Sequence, residues 1–223
     1  MPLTTLIFDA YGTLFDVAGA ARAAAVEAPA LAAIWPRLAA DWRAKQLEYT
    51  WLRAIMGNHR DFAGVTADAL DWAMAAQGVD PALRARLLAL YDDLPAYPEV
   101  PAVLAALAGA QKAILSNGTP AMLSRACASA GIAGHFAALL SVETVGIYKP
   151  ATAVYDLVQA QMGVAREQVM FISSNGWDVA GAARYGFTTV WVNRAGLPVD
   201  RLSDQPAHII ADLTELPALW SPG

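Results

Sequence analysis

Cysteine and basic residues are scarce in this chain of 223 residues. It has one cysteine, Cys127, which excludes an internal disulfide and a metal site built from several cysteines. We interpret Cys127 as a small buried residue of a helix, because no histidine stands in a motif that would make it a catalytic thiol. Only 15 residues are Lys or Arg, they form no cluster, and the net charge is -5. This balance argues against a nucleic-acid partner.

Long apolar runs are also lacking. No run reaches the roughly 20 residues needed to span a bilayer, and the first residues lack the basic and apolar regions of a signal peptide. We therefore expect a soluble cytoplasmic protein with no membrane partner. The histidines His59, His135 and His208 follow no strand-end motif, and there is no G-x-S-x-G elbow. Ser-His-Asp chemistry is thus poorly supported.

Short apolar runs alternate with helix-like segments in most of the chain. Strands are predicted at residues 3–8, 113–115, 139–142, 169–172, 188–192 and 208–210, and helices at 121–130, 154–162 and 179–185. This alternation predicts an α/β protein with a parallel sheet covered on both faces. Residues 18–94 differ, because their apolar residues recur at helical spacing without a convincing strand. They predict a helical insertion, and the proline-rich residues 92–101 predict its return hinge.

Polar residues follow four of the predicted strands, at the points where the strands end. They are Asp9, Ser116, Asn117, Lys149, Ser173, Ser174, Asn175 and Asp178. In open parallel sheets, ligands bind at the edge formed by the carboxyl ends of the strands. Each group taken alone is equally typical of a turn or a helix cap. The four groups together predict a functional site at this edge.

These residues lie in four short motifs. The motifs are DAYGT (residues 9–13), SNG (116–118), YKP (148–150) with Tyr155, and SSNGWD (173–178). With them, and with WRAKQLEYTWLR (42–53) in the insertion, the sequence resembles the type II L-2-haloacid dehalogenases of the haloacid dehalogenase superfamily. The resemblance implies a Rossmann-like three-layer core (1–16 and 95–223), an inserted helical cap subdomain (17–94) and a homodimer. It also implies hydrolytic dehalogenation of short (S)-2-haloalkanoic acids to (R)-2-hydroxyalkanoic acids.

One position separates this sequence from the phosphatases of that superfamily. They use two carboxylates spaced two residues apart, the second of which protonates the leaving alkoxide. Here the second position is Tyr11, which is not an acid at neutral pH, and a halide leaving group needs no proton. The fourth motif offers a single acid, Asp178, so the carboxylate pair that would hold Mg²⁺ is incomplete. We expect no metal and no cofactor, with Lys149, ion-paired with Asp9 and Asp178, as the fixed positive charge.

Asp9 is the predicted nucleophile of a two-step covalent reaction. Its carboxylate attacks C2 of the 2-haloacid with inversion, halide leaves, and water then hydrolyses the ester at the carbonyl carbon of Asp9. The carboxylate of Asp9 is expected to be positioned by Thr13, Lys149 and Ser173. The water is expected to be oriented or activated by Asn175 and Asp178. Ser116, with backbone N–H groups near Tyr11, is expected to hold the substrate carboxylate.

The departing halide needs hydrogen-bond donors. Asn117 is one candidate, and the resemblance points to Arg43 as the second. On a helix, Arg43, Leu47 and Thr50 share one face, although the sequence alone favours a surface arginine. The residues expected to form an apolar wall around the substrate are Tyr11, Leu47, Phe62 and Trp177, for which ordinary packing is the commoner use. Tyr155 is predicted to bind substrate through a hydrogen bond within the site, and a buried helix residue is the equally open alternative.

Other functions remain open at this point. A dehalogenase of this kind that accepts fluoroacetate is one alternative, because the halogen is not readable from these motifs. A phosphatase-type member of the superfamily is a second, which Tyr11 and Trp177 oppose. A protein that only binds is a third, and the retention of Asp9 with Lys149 and Asp178 argues against it. Ala44 follows Arg43 where relatives have a larger polar residue, which leaves the substrate size open.

Overall fold

The computed structural model of the protein describes residues 2–27 and 29–220. Its strands are β1 (Thr5–Phe8), β2 (Gln111–Ser116), β3 (Ala138–Ser141), β4 (Val169–Ser173), β5 (Thr188–Val192) and β6 (His208–Ile210). They form one sheet in the order β3-β2-β1-β4-β5-β6, and every neighbouring pair is parallel. The predicted α/β class is confirmed, and the predicted strands differ from these only at their ends.

Among the described residues, five α-helices lie between β1 and the rest of the sheet. They are α1 (Val17–Glu27), α2 (Pro29–Ala32), α3 (Trp35–Met56), α4 (Phe62–Gln77) and α5 (Arg84–Asp92). The remaining helices are α6 (Val100–Ala106), α7 (Pro120–Ser129), α8 (Thr152–Met162), α9 (Gly176–Tyr185) and α10 (Leu216–Leu219). The predicted insertion is helical, with no strand among its described residues. We call α1 to α5 the helical insertion.

The central strand β1 is buried along its whole length. All four of its residues are fully inaccessible. Because successive side chains of a strand point to opposite faces, this burial requires a layer of structure on each side of the sheet. Cys127 on α7 is also fully buried, and burial raises the pKa of its thiol to about 11. It is a core residue, as predicted.

The chain leaves the sheet and returns to it along two adjacent segments. Residues 14–16 lead into the insertion and residues 95–97 lead out of it. Asp16 N donates to Pro95 O at 2.9 Å, and Tyr97 N donates to Leu14 O at 2.9 Å. The return hinge predicted at residues 92–101 therefore contains residues 95–97, which are hydrogen-bonded to residues 14–16 of the segment that leads into the insertion.

The helical insertion contacts the carboxyl edge of the sheet at several points. Trp51 on α3 packs edge-on against Trp177 on α9, with ring centroids 5.5 Å apart. Phe62 N at the start of α4 donates to the Glu143 carboxylate at 3.0 Å. The insertion thus lies over the strand ends where the site was predicted. Within the described residues, no helix has the length and apolar character that crossing a membrane requires.

Candidate active site

The carboxylate of Asp9 lies directly after β1 and is almost inaccessible, with 8% of its side chain exposed. Three side chains donate to it. Thr13 Oγ1 lies 3.0 Å from Oδ2, Asn175 Nδ2 lies 2.9 Å from Oδ2, and Lys149 Nζ lies 3.1 Å from Oδ1. Hydrogen bonds of this kind stabilise the ionised carboxylate and hold it in one orientation.

The loop after Asp9 is a tight turn that brings Thr13 back to the carboxylate. Leu14 N donates to Ala10 O at 2.9 Å, and Gly12 has φ of 86°, a left-handed conformation that favours glycine. A Cβ atom at Gly12 would lie 3.1 Å from Ser174 Oγ. Gly12 therefore permits both the turn and the close approach of the β4 loop, where Ser174 N donates to Thr13 Oγ1 at 2.8 Å.

Lys149 bridges the two acids of the site, as predicted. Its Nζ lies 3.1 Å from Asp9 and 2.8 Å from Asp178, and its side chain is 1% exposed. Burial opposes the charge of the ammonium group, but the carboxylates of Asp178 and Asp9 outweigh it and raise the pKa of Lys149. The residue is therefore a fixed cation at neutral pH.

Asp178 in the first turn of α9 is fully buried beside Lys149. Burial and the charge of Asp9 raise the pKa of its carboxyl to about 6, although Lys149 and the hydrogen bond from Tyr155 oppose the shift. One ammonium group thus serves two carboxylates. The carboxyl of Asp178 therefore gains a proton in mildly acidic solution.

Two predicted roles are corrected by the contacts of Asp178. Ser173 Oγ donates to Asp178 at 3.2 Å and not to Asp9, because the side chain at the end of β4 points toward the first turn of α9. Tyr155 was predicted to bind substrate, but it is fully buried and its hydroxyl donates to Asp178 Oδ1 at 2.8 Å. Both hydroxyls therefore donate to the carboxylate of Asp178 and help to fix its orientation.

Two residues that follow β2 complete the edge of the sheet. Asn117 Oδ1 accepts from the backbone N of Lys149 at 3.1 Å, so the amide nitrogen of Asn117 is the end that can be offered to an anion. Ser116 Oγ accepts from Gly118 N at 3.0 Å and is fully buried. Ser116 therefore shapes the turn after β2.

Arg43 reaches the site from the helical insertion. Its Nη2 donates to Asn175 Oδ1 at 3.2 Å and its Nη1 to Gln46 Oε1 at 2.8 Å. Arg43 is half-buried, so the surface interpretation that the sequence alone favoured is wrong. The predicted shared face is only approximate: Thr50 belongs to the buried stripe of α3, whereas Arg43 and Leu47 lie half-buried beside it.

The apolar wall is built around Tyr11. Its ring centroid lies 5.6 Å from that of Phe62 and 5.6 Å from that of Tyr91. Tyr91, in the last turn of α5, carries no sequence signal that would have identified it. Trp177 packs instead on Trp51 and lines a groove that also borders Lys149.

A cavity of about 370 Å³ lies beside Arg43. Its deep end is formed by Arg43, Gln46 and Tyr91, and its outer part by Pro36 and Ala40, which are exposed. The other lining residues are Asp16, Val17, Ala18, Trp35, Ala39, Trp42 and Tyr97. The cavity is therefore mainly apolar, and its charged lining residues are Arg43 and Asp16. No group of three or more His, Cys, Asp or Glu side chains that could hold a metal occurs in residues 2–27 and 29–220.

The family of haloacid dehalogenase-like hydrolases matches this chain over residues 3–186. The chain therefore belongs to this family. The (S)-2-haloacid dehalogenase of Xanthobacter autotrophicus is 42% identical over 194 residues, which are 86% of this chain and 76% of the relative. The (S)-2-haloacid dehalogenase 1 of Pseudomonas sp. (strain CBS-3) is 39% identical over 222 residues, which are 98% of this chain and 96% of the relative.

A solved structure gives the same result. The L-2-haloacid dehalogenase from Xanthobacter autotrophicus with chloropropionic acid covalently bound has a TM-score of 0.87 and 35% identity, covering 97% of this chain and 98% of that chain. The resemblance to the L-2-haloacid dehalogenases is thus confirmed.

Proposed function

We propose that this hydrolase of carbon–halide bonds converts short (S)-2-haloalkanoic acids into (R)-2-hydroxyalkanoic acids. The observation that carries the proposal is the environment of Asp9. Its carboxylate is buried and held by three donors, while residue 11 supplies an aromatic ring in place of a second acid. The names of the relatives and their identity of about two fifths support the same substrate class.

In the first step, a carboxylate oxygen of Asp9 attacks C2 from the side opposite the halogen. A C–O bond forms, the C–halogen bond breaks, and halide leaves with the bonding electron pair, so the configuration at C2 inverts. Thr13, Lys149 and Asn175 position the attacking carboxylate. Because little water reaches the buried Asp9, the carboxylate is only weakly solvated and is a stronger nucleophile.

In the second step, water adds to the carbonyl carbon of the Asp9 ester. The bond between that carbon and the ester oxygen breaks, which releases the 2-hydroxy acid and restores the carboxylate with one oxygen from water. Asn175 orients this water, and Asp178, which is held by Lys149 and Tyr155, orients it or accepts its proton. The pKa of about 6 lets Asp178 exchange a proton near neutral pH.

Departure of the halide is assisted by Arg43 and by the amide nitrogen of Asn117. Arg43 uses one N–H on Asn175 and one on Gln46, and a guanidinium has five N–H groups, so donors remain for an anion. Ser116 accepts from Gly118 N in the turn, so its hydroxyl hydrogen is left to donate to the substrate carboxylate, together with backbone N–H groups near Tyr11. Tyr11, Leu47 and Phe62 surround the apolar part of the substrate.

The reaction is proposed to need no metal, because Lys149 already supplies a positive charge to both carboxylates. We also propose that residues 17–94 are a cap subdomain on a core of residues 1–16 and 95–223, and that the protein is a cytoplasmic homodimer. Exposed apolar side chains on α3 support a partner surface, with Ile55 82% and Met56 65% exposed. Light scattering of the protein and of an Ile55→Glu variant tests the dimer.

The first experiment is halide release from L- and D-2-chloropropionate, each with EDTA present. We expect release from the L form only. Release that depends on added Mg²⁺ would contradict the metal-free mechanism, and equal release from both forms would contradict the stereochemistry. A phosphatase function would be favoured by two results together. One is the absence of halide release from chloro, bromo and fluoro substrates, and the other is Mg²⁺-dependent phosphate release from an aryl phosphate.

The covalent step has its own test. In a single turnover in water enriched in heavy oxygen, we expect the label in the Asp9 side chain and not in the product, because the first product takes its oxygen from Asp9. Peptide mass spectrometry locates the label. Label in the first product would show direct attack by water. An Asp9→Asn variant, which removes the anionic nucleophile, is expected to release no halide in its first turnover.

A further inference from the structure

Gln46 is a buried amide on a helix face that is otherwise apolar or backbone-bonded. It is 1% exposed and stands in the buried stripe of α3 with Leu38, Trp42 and Thr50. Burying an amide is unfavourable unless its donors and acceptors find partners. The partners of Gln46 therefore indicate what this side chain does.

The orientation of this amide is determined at both ends. Arg43 Nη1 lies 2.8 Å from Gln46 Oε1, and a guanidinium can only donate, so the carbonyl end must face Arg43. Gln46 Nε2 lies 2.7 Å from Thr66 Oγ1. The hydroxyl of Thr66 donates its own hydrogen to Phe62 O at 2.6 Å, so its oxygen accepts from the amide nitrogen. Both constraints select the same orientation.

Tyr91 holds the amide from a third side. Its hydroxyl lies 3.2 Å from Oε1 and 3.1 Å from Nε2 of Gln46. Gln46 on α3 is thereby tied to α4 through Thr66 and to α5 through Tyr91. Three helices of the insertion fix one amide, and that amide presents its acceptor to Arg43.

The donor and acceptor ends of Asn175, which connects Arg43 to Asp9, are assigned in the same way. Arg43 Nη2 lies 3.2 Å from Asn175 Oδ1, so the carbonyl end of Asn175 faces Arg43. The NH₂ end of Asn175 is left to face Asp9, 2.9 Å away. An unbroken series of hydrogen bonds thus runs from Thr66 through Gln46, Arg43 and Asn175 to Asp9.

We propose that Gln46 is a positioning residue, which fixes the guanidinium of Arg43 toward the departing halide and through it the amide of Asn175 toward Asp9. This inference rests on the proposed dehalogenase function. Gln46 acts through Arg43 and not on the substrate. Without the acceptor of Gln46, the guanidinium loses one of the contacts that fix its orientation and keeps the one to Asn175. It can then turn about the remaining contact, and its other N–H groups no longer meet the halide in one geometry.

The leaving group provides a readout that distinguishes positioning from folding. Chloride is a poorer leaving group than bromide, so its departure depends more strongly on well-placed donors. In single-turnover halide release, we expect Gln46→Met to slow L-2-chloropropionate about a hundredfold and L-2-bromopropionate about tenfold, within the range that a small misplacement costs. The bromide-to-chloride rate ratio then rises about tenfold. A smaller folded fraction would lower both rates equally and leave the ratio unchanged.

Gln77→Met is the matched control. Gln77 on α4 donates to Asp41 on α3, so it joins the same two helices without touching Arg43. We expect its rate ratio to equal that of the wild type. Gln46→Glu keeps an acceptor for Arg43 and is expected to return the ratio toward the wild-type value, which a loss of packing would not do.

Thr66→Val provides a second variant if Gln46→Met does not fold. It removes one of the groups that orient Gln46 and is expected to raise the ratio in the same direction by a smaller factor. An unchanged ratio in the folded variants would overturn the positioning role. Absence of halide release from the wild type would instead overturn the proposed function, so the two failures are distinguishable.

Discussion

Replacing Lys149 by Met would test the electrostatic design of the site most directly. The side chain is 1% exposed, and those of Asp9 and Asp178 are 8% and 0% exposed. Its ammonium lies within 3.1 Å of both carboxylates. Removing one partner of a buried ion pair typically costs about 3 to 5 kcal/mol, because the remaining charge is left uncompensated. Here two carboxylates would be left in one pocket, and halide release should be lost.

The loss of stability should depend on pH in a defined direction. The carboxyl of Asp178 already has a folded-state pKa of about 6, above its ordinary value of 3.8. Such a group contributes stability below pH 3.8 that is lost as the pH rises through the folded-state pKa. Without Lys149 that pKa rises further. The free energy of unfolding of the variant therefore keeps falling above about pH 6, by about 1.4 kcal/mol per pH unit. That of the wild type does not fall further in this range.

Urea unfolding followed by tryptophan fluorescence at about pH 6 and about pH 8 measures this difference. We expect the free energy of unfolding of Lys149→Met to fall below the wild-type value by about 3 to 5 kcal/mol at the higher pH. At the lower pH the deficit should be smaller by about 2 to 3 kcal/mol. A control that also carries Asp178→Asn removes one acid and should abolish the pH dependence. Equal deficits at both pH values in Lys149→Met would refute the electrostatic argument and indicate lost packing.

Three further predictions concern catalysis. Asp178 must be ionised to share Lys149 and to receive a proton. We therefore expect kcat to fall about tenfold per pH unit below about pH 6. A flat kcat profile from pH 5 to pH 8 would contradict this role. Tyr155→Phe removes a hydrogen bond that lowers the pKa of Asp178, so the acid limb of that kcat profile should move to higher pH, and an unmoved limb would contradict the contact. We expect the cavity beside Arg43 to receive longer alkyl groups, so Ala39→Phe should lower kcat/KM for L-2-bromohexanoate about tenfold relative to L-2-bromopropionate. The exposed Ala75→Phe is its control, and an equal loss on both substrates would argue against the cavity.

The residues at the strand ends could be predicted because their position depends on topology alone. Asp9 follows a short apolar run, and every neighbouring strand pair is parallel, so the polar residues after each run share one edge. The contact of Lys149 with both Asp9 and Asp178 was predicted differently, from the incomplete carboxylate pair, which left the positive charge at this edge to Lys149. Which hydroxyl binds which acid was not, because Ser173 and Tyr155 depend on the offset and direction of α9 relative to β4.

The contribution of the helical insertion was much harder to predict. Gln46 reads as an ordinary polar residue of a helix, and its burial results from the packing of α3 against α4 and α5. Tyr91 is one aromatic residue in a short helix, and its contact with Tyr11 joins segments 80 residues apart. Helical periodicity gives the approximate face of α3 but not the angle at which it crosses the sheet edge. The position of Arg43 was therefore implied by the family resemblance and not by its spacing.

Residue 11 connects the chemistry of the site with its closure. The ring of Tyr11 contacts Phe62 of α4 and Tyr91 of α5, and it lies against the turn after β2, where a Cβ atom at Gly118 would be 2.7 Å from Tyr11 Cε2. An aspartate at this position could not span these contacts, and it would bury a second negative charge beside aromatic rings. Tyr11, which stands where the phosphatases have their proton-donating acid, is thus the residue that joins the helical insertion to the sheet edge. A leaving group that needs no proton is what allows an aromatic ring to occupy this position.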